Sequence, residues 1–240
     1  VLTLALLSAL AIAAGVLGGV VGTGSSLILL PVLVVLYGPR AAVPIMGIAA
    51  VMGNVGRVIA WWRDIRWRPV LAYSLPGIPA AALGAHTLLS IPPGIVDVCL
   101  AAFFLVLIPA RRVVARRRMH IRLWQMAAAG AVVGFLTGLV LSTGPLSVPV
   151  FTGYGLSGGA FLGSEAASSV VLYLSKLSAF EAAGALPGDV LLRGLVIGSA
   201  LLIGSVAAKS IVRRLHPRAF GLLIDGVLVV GAVGMLLALV

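Results

Sequence analysis

One carboxylate, one lysine, one amide and two clusters of small polar residues stand in stretches of this 240-residue chain that are otherwise apolar. Glu165 lies inside the apolar run 159–181, beside Ser164, and Lys176 follows eleven residues further along the same run. Ionisable groups within apolar spans are costly and mark a site or pathway by default. A carboxylate there can take up and release a proton, and so couple proton movement to anion movement. Lys176 offers a cation to substrate, or snorkels to the interface. Asn54, in the run 41–60, offers an amide to the same cavity or bonds to a neighbouring helix. The polar clusters are two tips. Gly22-Thr23-Gly24-Ser25-Ser26 interrupts the stretch Gly15–Pro31, and Ser142-Thr143-Gly144 interrupts Gly134–Pro149, each apolar run resuming as a shorter one that ends around a proline. A helix starting just after such a tip, near Ser26 or Pro145, presents unpaired backbone N–H groups and the positive end of its dipole, which suits an anion. Thr23, Ser25, Ser26, Ser142 and Thr143 add hydroxyl donors, while Gly24 and Gly144 permit close backbone approach. The plainer reading is that these hydroxyls cap their own helices.

The elements that must position these groups follow from composition. Hydrophobic residues make up 61% of the chain, charged ones 10%, and the mean hydropathy is +1.21. Soluble domains are near half apolar and a quarter charged, so the composition specifies an integral membrane protein. The apolar runs are continuous and lack two-residue alternation, which argues against a barrel and predicts an all-α polytopic fold. They cover 1–21, 26–37, 41–60, 69–88, 93–110, 123–141, 145–155, 159–181, 188–208 and 219–239. Residues 1–21 lack a basic start and a cleavage site and read as a first span rather than a signal peptide. Cys99 is the one cysteine, so no intrachain disulfide is expected, and no His/Cys/carboxylate cluster has metal-ligand spacing. No catalytic residue, metal or cofactor is expected.

Two runs, 26–37 and 145–155, are too short for a span of about 20 residues. Fused with its predecessor, the first would make a helix of about 55 Å against a hydrocarbon core near 30 Å. The chain is therefore expected to turn back at each tip. Charge supports this. Of 17 Lys/Arg, 13 fall in three loops at 63–68, 111–122 and 209–218. Single crossings at the tips would set the four of the last loop against nine on the other side, whereas two hairpins put all 13 on one side, as the positive-inside rule demands. The expected topology places the basic loops in the cytoplasm and both termini outside it. The clusters could hold anionic lipid headgroups. Their distribution argues against nucleic acid, despite a net charge of +11.

The chain also repeats. Residues 1–110 form one unit, a hairpin plus three spans, and 123–240 another, joined by the basic linker 111–122. Gly38 corresponds to Gly155, Ala41–Ala50 to Gly158–Ala167, and Pro69–Ser90 to Asp189–Ser210. Gly15 aligns with Gly134 and Gly84 with Gly204. An odd number of crossings per unit makes the halves inverted, and paired interrupted helices point to a transporter's substrate site. Glycines spaced by four, as in Gly15/Gly19, Gly134/Gly138 and Gly194/Gly198, are expected to serve close helix packing.

The stretch Gly22-Thr-Gly-Ser-Ser-Leu-Ile-Leu-Leu-Pro31 resembles the first-half signature of the TauE/SafE, or sulfite exporter, family, and Gly134–Pro149 resembles its repeated copy. Ser25 and Ser26 stand where the signature has glycines, and Ser142-Thr143-Gly144 replaces the second glycine run. The resemblance implies a prokaryotic inner-membrane carrier of sulfite, sulfoacetate, other organosulfonates or related small anions. More hydroxyls at the tips than in the signature leave the substrate open.

Remaining polar residues have simpler readings. Arg57, one turn before Trp61 and Trp62, is expected to anchor at the interface, with substrate steering second. Asp97 follows Pro92-Pro93 and suits a helix dipole. Asp225 is ambiguous. His86 reads as a satisfied core or interhelical residue, and His120 and His216 belong to basic loops. A passive anion channel is the main alternative to a carrier. An intramembrane hydrolase would need a nucleophile with a positioned base, and no such spacing occurs. Oligomeric state is left open, a homodimer included.

Overall fold

Within a bilayer every backbone N–H and C=O must find its partner inside the segment, and apolar runs of this kind satisfy that as helices. The computed structural model, which describes residues 2–91, 120–139 and 143–214, contains eight α-helices and no strand among those residues. They are α1 (Leu2–Val21), α2 (Ser25–Tyr37), α3 (Pro39–Trp61), α4 (Trp67–Ser90), α5 (Leu123–Leu139), α6 (Gly144–Gly153), α7 (Gly158–Ala182) and α8 (Gly188–Val212), with a 3-10 turn at Trp62–Asp64. The runs 93–110 and 219–239, most of the linker 111–122, and Asp97, Cys99, Ser142, His216 and Asp225 lie outside the described residues. Within the described part, the helix bounds follow the apolar runs closely. Neither short helix stops at its proline, and each follows its apolar run beyond it. α2 continues past Pro31 to Tyr37, and α6 past Pro149 to Gly153. Proline costs a helix one N–H bond but holds a helical φ, and packing outweighs that loss here.

Polarity is arranged inside out. Val35, Leu71, Leu75, Leu83, Leu192 and Ile203 are exposed, whereas Asn54, Arg57, Glu165 and Lys176 are buried. Ala41–Asp64 and Gly188–Val212 are each long and apolar enough to cross a membrane. With lipid outside, helices gain little by hiding leucines from it, and small residues set the contacts instead. Gly130, Gly134 and Gly138 of α5 lie against the backbone of Tyr73, Gly77 and Ala81 on α4, and Gly15 of α1 lies against Leu201 and Gly204 on α8. A methyl group at any of the four would run into a carbonyl oxygen. Both pairs rise in step, so α5 runs parallel to α4 and α1 parallel to α8. α3 packs on α8, and α7 bridges α3 and α4. Gly194 and Gly198 receive the side chains of Ile48 and Met52 from α3.

Three contacts fix which helix ends lie together. Lys209 donates to the carbonyl of Ala60 and sits 5.4 Å from the Trp61 ring centroid, joining the ends of α3 and α8. Gly159, at the start of α7, lies against Trp61 and Asp64. The Ile121 N–H donates to the Gly153 carbonyl at 2.9 Å, so the entry to α5 and the exit from α6 are side by side. Arg63, Arg66 and Arg68, with Arg213 and Arg214, thus share one end of the bundle with Arg122. At the start of α8, Arg193 stacks on Tyr37, the last residue of α2, 4.6 Å from its ring centroid.

Candidate functional site

The chain breaks after Val21 because Gly22 and Gly24 adopt φ of 86° and 109°, values that L side chains rarely accept. α2 then begins beside the last turn of α1, with Ser25 against Gly18. α6 begins at Gly144, followed by Pro145, whose missing N–H costs nothing in a first turn. These two helix starts meet. Gly144 faces Thr23 so closely that a Cβ on it would collide with the Thr23 hydroxyl. Helix lengths explain the meeting depth. α2 has 13 residues and α6 has 10, about 20 and 15 Å at 1.5 Å per residue, together matching the 23-residue α3. Two short helices entering from facing ends would meet part-way along the long ones.

Between them lies a recess, part of it open to the exterior. Its walls are Gly22–Ser26 and Thr143–Gly144 from the two breaks, Asn54 and Arg57 from α3, and Glu165, Ser169 and Tyr173 from α7. Neither helix start carries a side-chain cap. The Thr143 hydroxyl is instead 2.5 Å from the Thr137 hydroxyl, which donates in turn to the Val133 carbonyl at 2.7 Å. The capping explanation for these hydroxyls does not hold at the two N-cap positions, Gly24 and Thr143.

The charged centre is an ion pair. Arg57 Nη1 donates to Glu165 Oε2 at 2.7 Å, with the two side chains only 7% and 2% exposed. The other guanidinium arm, Nη2, donates to Asn54 Oδ1. Glu165 Oε1 accepts from Ser147 Oγ and Ser169 Oγ, each at 2.8 Å. One carboxylate thus draws donors from α3, α6 and α7. Arg57 is therefore no interfacial anchor. It is buried with Asn54 and Trp61, which recur at helical spacing on one stripe of α3, while Trp62 alone of the tryptophan pair is exposed. A desolvated pair of this kind is weak evidence for stability, since desolvation offsets much of its attraction. Its position in the recess points to use.

The structure brings Thr23, Gly24, Ser25, Ser26, Asn54, Thr143, Gly144 and Glu165 to one recess. Ser164 is fully buried elsewhere, its hydroxyl accepting the backbone N–H of Arg66 at 2.8 Å where α4 starts. Lys176 lies deeper along α7, its Nζ donating to the Thr137 carbonyl at 3.0 Å and standing 5.4 Å from the Phe180 ring centroid. It braces the last turn of α5, whose carbonyls a cation suits. His86 is exposed, on the outward face of α4 with Leu83 and Leu89, and is not a core residue. Among the described residues no group of His, Cys, Asp and Glu could hold a metal.

The profile of the sulfite exporter TauE/SafE family matches residues 7–235. The chain belongs to that family. No curated protein and no solved structure matches it. A TauE/SafE protein is a membrane transporter, in keeping with the inside-out polarity and the apolar helices. Arg57, read first as an interfacial anchor, and Ser147 and Ser169, given no role from the sequence, belong to this TauE/SafE site. Two of them had a signal: Arg57 follows Asn54 by three residues, and Ser169 follows Glu165 by four, each sharing a helix face with it. Ser147 had none, because its partner is 18 residues away on another helix.

Proposed function

We propose that this protein is a secondary transporter that exports small oxyanions, such as sulfite, sulfoacetate or other organosulfonates, by alternating access between two inverted halves. The observation that carries the reading is the meeting of two uncapped helix starts at a recess holding a buried arginine–carboxylate pair. Backbone N–H groups and hydroxyls converging from both hairpins can hold an oxyanion without burying several cations. Thr23, Ser25, Ser26, Thr143 and, with it, Ser142 serve as hydroxyl donors, Gly24 and Gly144 admit the anion to the backbone, and Asn54 orients Arg57. Glu165 is the coupling residue. Lys176 and Ser164 act by positioning the second break and the start of α4.

Inverted halves are supported by paired contacts. α1 packs on α8 as α5 packs on α4, and α3 on α8 as α7 on α4. Gly204 approaches the Ile12 carbonyl as Gly84 approaches that of Phe135. Gly38 and Gly155, with φ of 75° and 99°, both turn the chain out of a short helix. In that scheme Gly15 pairs with Gly138, one helical turn beyond Gly134. The α5–α6 hairpin then opens at the basic end and the α1–α2 hairpin at the Arg193 end. The proposed orientation, in a prokaryotic inner membrane, puts the basic end in the cytoplasm.

The test is counterflow in proteoliposomes. Vesicles preloaded with sulfoacetate should accumulate labelled sulfoacetate or sulfite transiently, and Gly144→Leu, which fills the space between the breaks, should abolish this. Flux that only runs downhill, with no counterflow, would indicate a channel. Absence of flux across sulfite, thiosulfate, sulfoacetate, taurine and simple carboxylates would overturn the reading.

A further inference from the structure

We infer that Glu165 is an internal stand-in for the transported anion on Arg57, and that the anion displaces it only as Glu165 takes up a proton. This rests on reading the recess as the anion site. Three features of the pair support it.

First, the contact is single-armed. Arginine and carboxylate usually meet through two parallel N–H···O bonds. Here Nη1 goes to Glu165 and Nη2 to Asn54, so two of the five guanidinium N–H groups are engaged in these bonds. A sulfonate or sulfite oxygen arriving in the recess can take over the Nη1 position without moving Arg57 from Asn54.

Second, an oxyanion at Arg57 would stand within a few ångströms of Glu165. Two negative charges at such a distance in a poorly solvated recess repel strongly, and a single arginine cannot compensate both. The charged groups facing Glu165 are few. Arg57 comes from α3, and the phenols Tyr73 from α4 and Tyr173 from α7 interact with it electrostatically. Ser147 from α6 and Ser169 from α7 are neutral. Phenols and hydroxyls do not ordinarily change charge between about pH 5 and 8, so the proton that balances an incoming anion goes to Glu165.

Third, the neutral acid has a place prepared for it. Ser147 carries one hydroxyl hydrogen and two acceptors in range, Glu165 Oε1 at 2.8 Å and the Gly144 carbonyl at 3.0 Å. While Glu165 is ionised, that hydrogen points to the carboxylate. Once Oε1 is protonated, the acid donates to Ser147 Oγ and the serine donates to Gly144. The breaking of the Arg57 bond and the arrival of a proton from cavity water are thereby registered at the first residue of α6. One anion is bound per proton taken up, and both leave together when the pair re-forms.

The experiment is a pH series of isethionate binding to the purified full chain in detergent, since that sulfonate stays ionised throughout. Wild type should weaken about tenfold per pH unit wherever the ion pair is intact, the slope expected when one proton is bound with each ligand. Glu165→Gln should bind tightly with no pH slope. Arg57→Gln and the double variant R57Q/E165Q, which leaves no unpaired charge and so guards against misfolding, should not bind. A wild-type affinity that is flat with pH, a slope retained in E165Q, or R57Q/E165Q binding as well as E165Q would each overturn the inference while leaving the site intact. Failure of wild type and E165Q alike to bind isethionate or sulfite at any pH would overturn the site itself.

Discussion

Removing one partner of the Arg57–Glu165 pair should destabilise the fold asymmetrically. Both side chains are more than nine-tenths buried and their contact is 2.7 Å. Breaking a buried pair from one side typically costs about 3–5 kcal/mol, because the surviving charge keeps its desolvation penalty and loses its compensation. Insertion scales, which place Arg or Asp at mid-bilayer at about 2.5–3.5 kcal/mol, give a similar figure. The two survivors differ in what they can do. In Glu165→Met, Arg57 is left charged, since a guanidinium does not lose its proton in proteins. In Arg57→Met, Glu165 can neutralise by taking a proton, and it retains Ser147 and Ser169 as partners. E165M should therefore lose about 3–5 kcal/mol at every pH, roughly two to three and a half decades in the folding equilibrium. R57M should lose less than E165M, because its surviving carboxyl can be neutralised and keeps two hydroxyl donors, whereas a guanidinium cannot be neutralised. The double variant R57M/E165M should lie close to wild type, as apolar replacements of buried pairs often do. Equilibrium unfolding in mixed micelles of dodecyl sulfate and a mild detergent, followed by far-UV circular dichroism, measures all four proteins. An E165M stability within about 1 kcal/mol of wild type, or a double variant less stable than E165M, would refute the assignment of a desolvated pair.

Three further outcomes follow from other parts of the bundle. Gly84→Ala on α4 drives a methyl into the Phe135 carbonyl and should cost about 1–3 kcal/mol in the same unfolding assay, whereas Gly188→Ala, with nothing within 4 Å, should be silent; equal effects would discredit the backbone-to-backbone contact. Lys176→Met should slow sulfoacetate counterflow while changing isethionate affinity less than about threefold, because Nζ binds the Thr137 carbonyl outside the recess; a tenfold loss of affinity would mean that Lys176 touches the anion. At the basic end, Trp62 and Trp67 stack edge-on at 5.9 Å among exposed arginines, so their fluorescence should be quenched by brominated phosphatidylglycerol more than by brominated phosphatidylcholine. Arg213→Gln with Arg214→Gln should reduce that preference, each arginine being worth about 1 kcal/mol near an anionic surface, and equal quenching by both lipids would exclude the headgroup site.

The parts of this site legible in the sequence are those whose physics is local. Gly22 and Gly24 announce a break because no other residue takes their φ readily, and an apolar chain cannot break in lipid without a reason. Glu165 declares itself by cost alone. What stayed hidden depends on direction and depth, which a list of suspicious residue types does not carry. Ser164 and Glu165 are neighbours in sequence but point about 100° apart on α7, so one reaches the start of α4 and the other the recess. Lys176 is eleven residues on and therefore nearly in line with Glu165, yet about 16 Å further along the axis, where it meets Thr137 rather than the anion. Arg57 was obscured by its neighbourhood. Beside Trp61, Trp62 and Arg63 it looks interfacial, but spacing by three and four ties it to Asn54 and Trp61, not to Trp62. The same periodicity would have set His86 outward with Leu83. An ionisable residue in a membrane helix is thus best assigned by the face it shares before the residues it follows, because the face decides which opposite charge it can meet. For Arg57 that face is Asn54's, and the opposite charge is Glu165.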